Sequence, residues 1–93
     1  MADGDVERWV TEGITAVKSG DRDQARSLFL KAVEADDQNE SAWLWLSSVV
    51  EKEEDKRLCL ENVLTINPDN APAWRRLNAL DNPVEELKES FLR

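Results

Sequence analysis

The groups available for chemistry in this sequence are one thiol, Cys59, and a large set of carboxylates; histidine is absent from all 93 residues. Without histidine the chain lacks the commonest general acid–base near neutral pH. Cys59 has no histidine to activate it and sits beside an apolar stripe, so it reads as a packing residue. A single cysteine permits neither an intrachain disulfide nor a cysteine-based metal cluster, and its use fits a reducing compartment. No glycine-rich phosphate cradle and no Gly-Lys-Ser/Thr motif is present. The acidic run Glu53-Glu54-Asp55 lacks the alternating ligands and central glycine of a calcium loop, and it reads as the start of a helix. A paired-carboxylate hydrolase would need two acids brought together by the fold, and no spacing here points to such a pair. The expectation is a protein that is not an enzyme, with no catalytic, cofactor-binding or metal-ligating residues.

The charge balance narrows the partners. Lys and Arg number 12 against 20 Asp and Glu, a formal net charge of -8. Such a chain repels nucleic acid and anionic lipid and favours an apolar or basic protein partner. The start, Met1-Ala2-Asp3-Gly4-Asp5, has no signal-peptide apolar core. The run Ala42-Trp43-Leu44-Trp45-Leu46 is far too short to cross a bilayer. Asn39-Glu40-Ser41 matches a glycosylation acceptor, which is discounted without an export signal. A cytoplasmic location, no membrane and no nucleic acid are therefore expected, in a single domain spanning 1–93.

Turn signals divide the chain into helical lengths. The first segment covers about 5–19, with Asp5 as its cap and Val6, Trp9, Val10, Gly13, Ile14 and Val17 spaced three and four apart. It stops at Ser19-Gly20, where Gly20 suits a left-handed cap. Asp21 caps a second helix whose stripe is Ala25, Leu28, Phe29, Ala32 and Val33. A third helix, about 40–51, turns Trp43, Leu44, Leu46, Val49 and Val50 inward. A fourth, about 54–66, turns in Leu60, Val63 and Leu64. Asn67-Pro68-Asp69-Asn70 breaks the chain, because proline restricts Asn67 and cannot continue the ladder. A fifth helix, about 71–80, carries Trp74 and Leu77 inward. Pro83 fits the first turn of a last helix with Val84, Leu87, Phe91 and Leu92 on its apolar side.

These segments repeat. Trp9 and Trp43 are 34 residues apart, and Trp43 and Trp74 are 31 apart. The stretch Asp36 to Trp43 lies over Asn67 to Trp74, and Phe29 to Ala35 lies over Leu60 to Ile66. A period in this range marks a solenoid. The pattern resembles the tetratricopeptide repeat family. Trp9 and Gly13 stand at that family's tryptophan and glycine positions in the first helix of a repeat; Ala25, Phe29 and Ala32 stand at the alanine, aromatic and alanine positions of the second. In the next repeat Trp43, Leu46, Leu60 and Val63 match, Ser47 replaces the glycine, Pro68 is the expected closing proline, and Lys56 departs from the first alanine. The third unit keeps Trp74 and Leu77. The resemblance implies an all-α fold of antiparallel helix–turn–helix repeats in a short right-handed superhelical stack with a C-terminal capping helix. Repeat one covers about 6–39, a shortened repeat two about 40–70, and a partial repeat with the capping helix about 71–93. Half-a-tetratricopeptide repeats of RNA-processing proteins are a second resemblance, through Ala25-Arg26 and the run from Trp43 to Glu51.

The resemblance further implies a protein-interaction module or scaffold that binds a peptide or helix of a partner. Alternatives are a structural stack that associates with itself and an RNA-processing module. The first helix of each repeat lines the concave face in this family, which nominates Val10, Ile14, Val17, Leu44, Ser48 and Arg75, with Trp45 as an aromatic anchor. At the family's carboxylate-clamp positions the chain has Val10, Ile14, Trp45, Pro72 and Arg76, of which only Arg76 is of the clamp type. An apolar or basic segment is thus expected there, not an acidic chain end.

Overall fold

The computed structural model describes residues 2–81. Over them the protein is all-α, with α1 (Ala2–Lys18), α2 (Arg22–Ala35), α3 (Glu40–Val49), α4 (Glu53–Ile66) and α5 (Ala71–Asp81). Each helix packs on the next in sequence, and α1 also touches α3. The expected capping helix from Pro83 lies outside the described residues. The shape is long: its principal extents are 53 × 29 × 19 Å and its radius of gyration is 14.5 Å, against about 12 Å for a round domain of this length. Elongation of this kind follows when helix pairs bury their stripes mainly against neighbours.

Local chemistry sets the boundaries. After α1, Gly20 adopts φ +84°. The Asp21 N–H donates to the Ala16 carbonyl at 2.9 Å and the Gly20 N–H to Val17 at 3.0 Å. That pair of bonds is the Schellman arrangement, which needs a residue without Cβ strain at the left-handed position. Asp21 then accepts from the Gln24 N–H at 3.1 Å and opens α2. Two expected boundaries shift. The first helix begins at Ala2, so Asp5 is no cap but lies inside α1, 3.4 Å from Arg8. An acidic residue is favourable throughout a first turn, so its type alone does not locate the cap. The third helix ends at Val49, not Glu51. There Arg22 donates to the Ser48 carbonyl at 3.2 Å and Arg26 to the Val49 carbonyl at 3.1 Å. Two guanidinium groups thus satisfy carbonyls that the end of a helix leaves open.

The core falls into two clusters. The larger joins Val6, Val10 and Ala16 of α1, Phe29 and Ala32 of α2, Leu46 and Val49 of α3, and Cys59 of α4. The smaller holds Leu60, Val63 and Ala73, with Leu44, Leu77 and Leu80 packed on it. Trp43 packs against both. Gly13 explains how closely α1 and α2 approach: a Cβ there would sit 2.5 Å from the Phe29 ring, and Phe29 is fully buried.

Candidate functional site

The repeat is visible in hydrogen bonds as well as in residue types. In the turn before α3, the Asp36 N–H donates to Ala32 at 2.9 Å and the Asn39 N–H to Asp36 at 3.3 Å. Asn39 accepts from the Ala42 N–H at 2.9 Å, and the Trp43 indole Nε1–H donates to the Asp37 carbonyl at 2.8 Å. The turn before α5 repeats this list 31 residues on. The Asn67 N–H donates to Val63 at 2.7 Å, the Asn70 N–H to Asn67 at 3.1 Å, and Asn70 accepts from Ala73 at 2.9 Å. The Trp74 Nε1–H donates to the Pro68 carbonyl at 2.7 Å. Asp36 and Asn67 also play one role, each accepting at 3.1 Å from the N–H two residues on. A carboxylate or amide at the first place, asparagine at the cap three residues on and an indole four residues after the cap together build one joint twice. The Glu40 carboxylate ties the joints, accepting from Asn67 Nδ2 at 2.9 Å and from Asn70 Nδ2 at 2.5 Å.

Burial corrects several expectations about individual residues. Trp74 was expected to face inward, yet it is 47% exposed; the fully buried residue of that turn is Ala73, and Ala42 is its counterpart before α3. The small residue enters the closely packed helix start while the indole lies across the turn and bonds its carbonyl. Val10 belongs to the core and lines no open groove. Ile14 and Val17 are partly buried against that same core. Trp45 is partly buried, and its ring stacks on Phe29 with centroids 6.2 Å apart and planes 21° apart. Leu44 packs on the second cluster. Ser48 is exposed, its hydroxyl donating to the Trp45 carbonyl at 2.6 Å. Arg75 is exposed. Of the nominated residues Val10 is buried, Ile14, Val17, Leu44 and Trp45 are partly buried, and Ser48 and Arg75 are exposed. Arg76, the clamp-type residue, donates to the Leu44 carbonyl at 3.3 Å and to Ser47 Oγ at 3.4 Å.

A large apolar depression lies elsewhere, between α2 and α4 over α3. It has a volume of about 690 Å³, and its apolar lining comes from Leu30, Val33, Trp43, Leu46, Val50 and Leu58. Leu30 is 41% and Leu58 56% exposed, two of the three large apolar side chains left open to water among the described residues. The carboxylates of Glu34, Asp37 and Asp55 stand on its rim. Its one cationic lining residue, Arg26, is engaged with the Val49 carbonyl and with Asp23 at 2.6 Å. Cys59 lies at the floor, 3% exposed. Burial pushes its thiol up to about 11, with the nearby Asp55 carboxylate adding to the effect. A thiol held protonated in this way is a poor nucleophile. Sequence patterning gave little sign of this cleft, because Leu30 and Leu58 lie outside the stripes that spacing assigns to the core. Their pairing at 28 residues' separation depends on how α2 and α4 are set side by side.

In comparison with known proteins, the chain matches no family model and no curated protein. No described helix is long and apolar enough to cross a membrane. Among the described residues no group of three or more acidic, histidine or cysteine side chains is placed to hold a metal ion. Arg26, which prompted the resemblance to RNA-processing repeats, has a packing task in this fold: it closes the end of α3.

Proposed function

We propose that this protein is a tetratricopeptide-type helical-repeat module whose task is to bind another protein. The observation that carries the reading is the duplicated joint. One set of bonds, built from asparagine cap, alanine and tryptophan, recurs at a 31-residue interval and orders successive helices into a stack. Stacks of this kind offer long side surfaces, and their residues serve packing and recognition. The apolar cleft between α2 and α4 adds a surface of the size and character that partner segments use. The charge of -8 directs such a module away from nucleic acid. Cys59, buried and unpaired, suits the reducing cytoplasm.

The test is quantitative affinity capture with the immobilised full chain, with free chain as competitor and a nuclease-treated extract run in parallel. A protein that is captured saturably, released by competitor and indifferent to nuclease is the expected result. Capture that vanishes after nuclease treatment, or that free chain fails to compete, would sink the reading.

A further inference from the structure

We infer that the cleft between α2 and α4 is the recognition site of this module, and that its occupant is a basic amphipathic helix of a partner protein. The inference rests on the proposed binding role and names where and what it binds. Three observations converge. Leu30 and Leu58 stand open on opposite walls, over a floor of Val33, Leu46 and Val50. An apolar trough of about 690 Å³ accepts the anchors that one helix face presents at i, i+3, i+4 and i+7. The rim is acidic, with Glu34 and Asp37 on the α2 side and Asp55 at the start of α4. Its single cation, Arg26, is already satisfied by a carbonyl and a carboxylate of the chain itself. The adjoining depression at Glu51 and Lys52 adds one charge of each sign and leaves the balance acidic.

Charge decides the occupant. A helix flanked by Lys and Arg gains attraction to the rim, and its approach is steered by the net charge of -8. An acidic helix meets repulsion along both walls. A second copy of this chain carries the same excess of carboxylates, and its own cleft rim would oppose it. Among the first-helix residues, Val10 is buried in the core and Trp45 stacks on Phe29.

The experiment uses the full chain and two synthetic peptides of about 18 residues, a length that supports a helix. Both present leucines at i, i+3, i+4 and i+7; one carries lysine elsewhere and the other glutamate. Fluorescence anisotropy of the labelled peptides reports binding, and circular dichroism confirms that each variant is folded. The lysine peptide is expected to bind, more weakly as salt rises, and the glutamate peptide to bind roughly tenfold or more weaker. Leu30→Asp and Leu58→Asp, at side chains already open to water, should each weaken the lysine peptide roughly tenfold. The Glu34→Lys/Asp37→Lys double variant should reduce the preference for lysine over glutamate. Thr11→Ala on α1, exposed and outside the lining of the cleft, should leave binding unchanged. Equal binding of the two peptides, no binding of the lysine peptide, or insensitivity to both leucine variants would overturn the proposal. A partner captured as described above that ignores Leu30→Asp and Leu58→Asp would overturn the cleft while leaving the binding role standing. A concentration-dependent dimer in sedimentation, abolished by Leu58→Asp, would give the cleft to a second copy and likewise overturn it.

Discussion

The joint before α3 and the joint before α5 use the same bonds, yet their tryptophans have different fates. Trp43 is partly buried and packs against both core clusters. Trp74 makes the same indole bond to the turn and remains 47% exposed. The comparison separates two things that residue spacing merges. The indole N–H shapes the turn using only neighbours in sequence. Burial of the ring depends on what lies on both sides of the joint, and that is a property of the stack.

Truncation tests this separation most strongly. Trp43→Ala is expected to cost about 3–4 kcal/mol in urea unfolding, since it empties space between two clusters and removes the turn bond. Trp74→Ala should cost only about 1 kcal/mol, mainly the bond. Equal losses would break the comparison. The Trp43 side should also be sensitive to added volume. Gly13→Ala puts a methyl group against the Phe29 ring. It should destabilise by about 1–2 kcal/mol, because overpacking outweighs the gain in helix propensity. A neutral or stabilising outcome in thermal unfolding would mean that α1 can move away from α2. The caps provide the matched pair: Asn39→Ala and Asn70→Ala should each cost about 1 kcal/mol, as their backbone bonds are alike. The second loss should be slightly larger because Asn70 also serves Glu40. A several-fold difference in the other direction would show that the joints are not equivalent.

The last expected effect is one of pH, and it belongs to the cluster that holds Cys59. Cys59 has its thiol raised from 9.0 to about 11 by burial and by Asp55. A raised acid is still protonated in the folded chain when the unfolded chain has begun to lose its proton. Its contribution is therefore full below pH 9 and lost as pH rises towards 11. The stability difference between the native chain and Cys59→Ala should shrink across that window, and a constant difference would contradict the shift.

Much of the architecture was legible because it is encoded locally. Gly20, Asp21 and the Asn67-Pro68 break fixed helix ends through backbone geometry that neighbouring residues supply. Phe29, Leu46 and Val63 declared their burial through spacing. The site was less legible. The resemblance to tetratricopeptide repeats put Val10 and Trp45 at partner-facing positions, but it does not say which part of that face a neighbouring helix covers. Trp45 finds Phe29 from a different helix, and nothing near it in sequence specifies that stack. Leu30 and Leu58 escaped notice for the converse reason: each looks like an incidental surface leucine until α2 and α4 lie side by side. Ala42 and Ala73, too small to stand out beside tryptophan, proved to be the fully buried residues of their turns.

The division of the core has a kinetic meaning. With the indole of Trp43 bridging the two clusters, the smaller cluster around Leu60 and Ala73 is expected to open while the α1–α2 pair stays closed, as cooperative units in elongated repeats do. Amide protons in α5 then exchange with solvent by a cheaper route than those facing Phe29. Such an opening is expected to leave the α1–α2 pair as a folded remnant on which the smaller cluster re-forms.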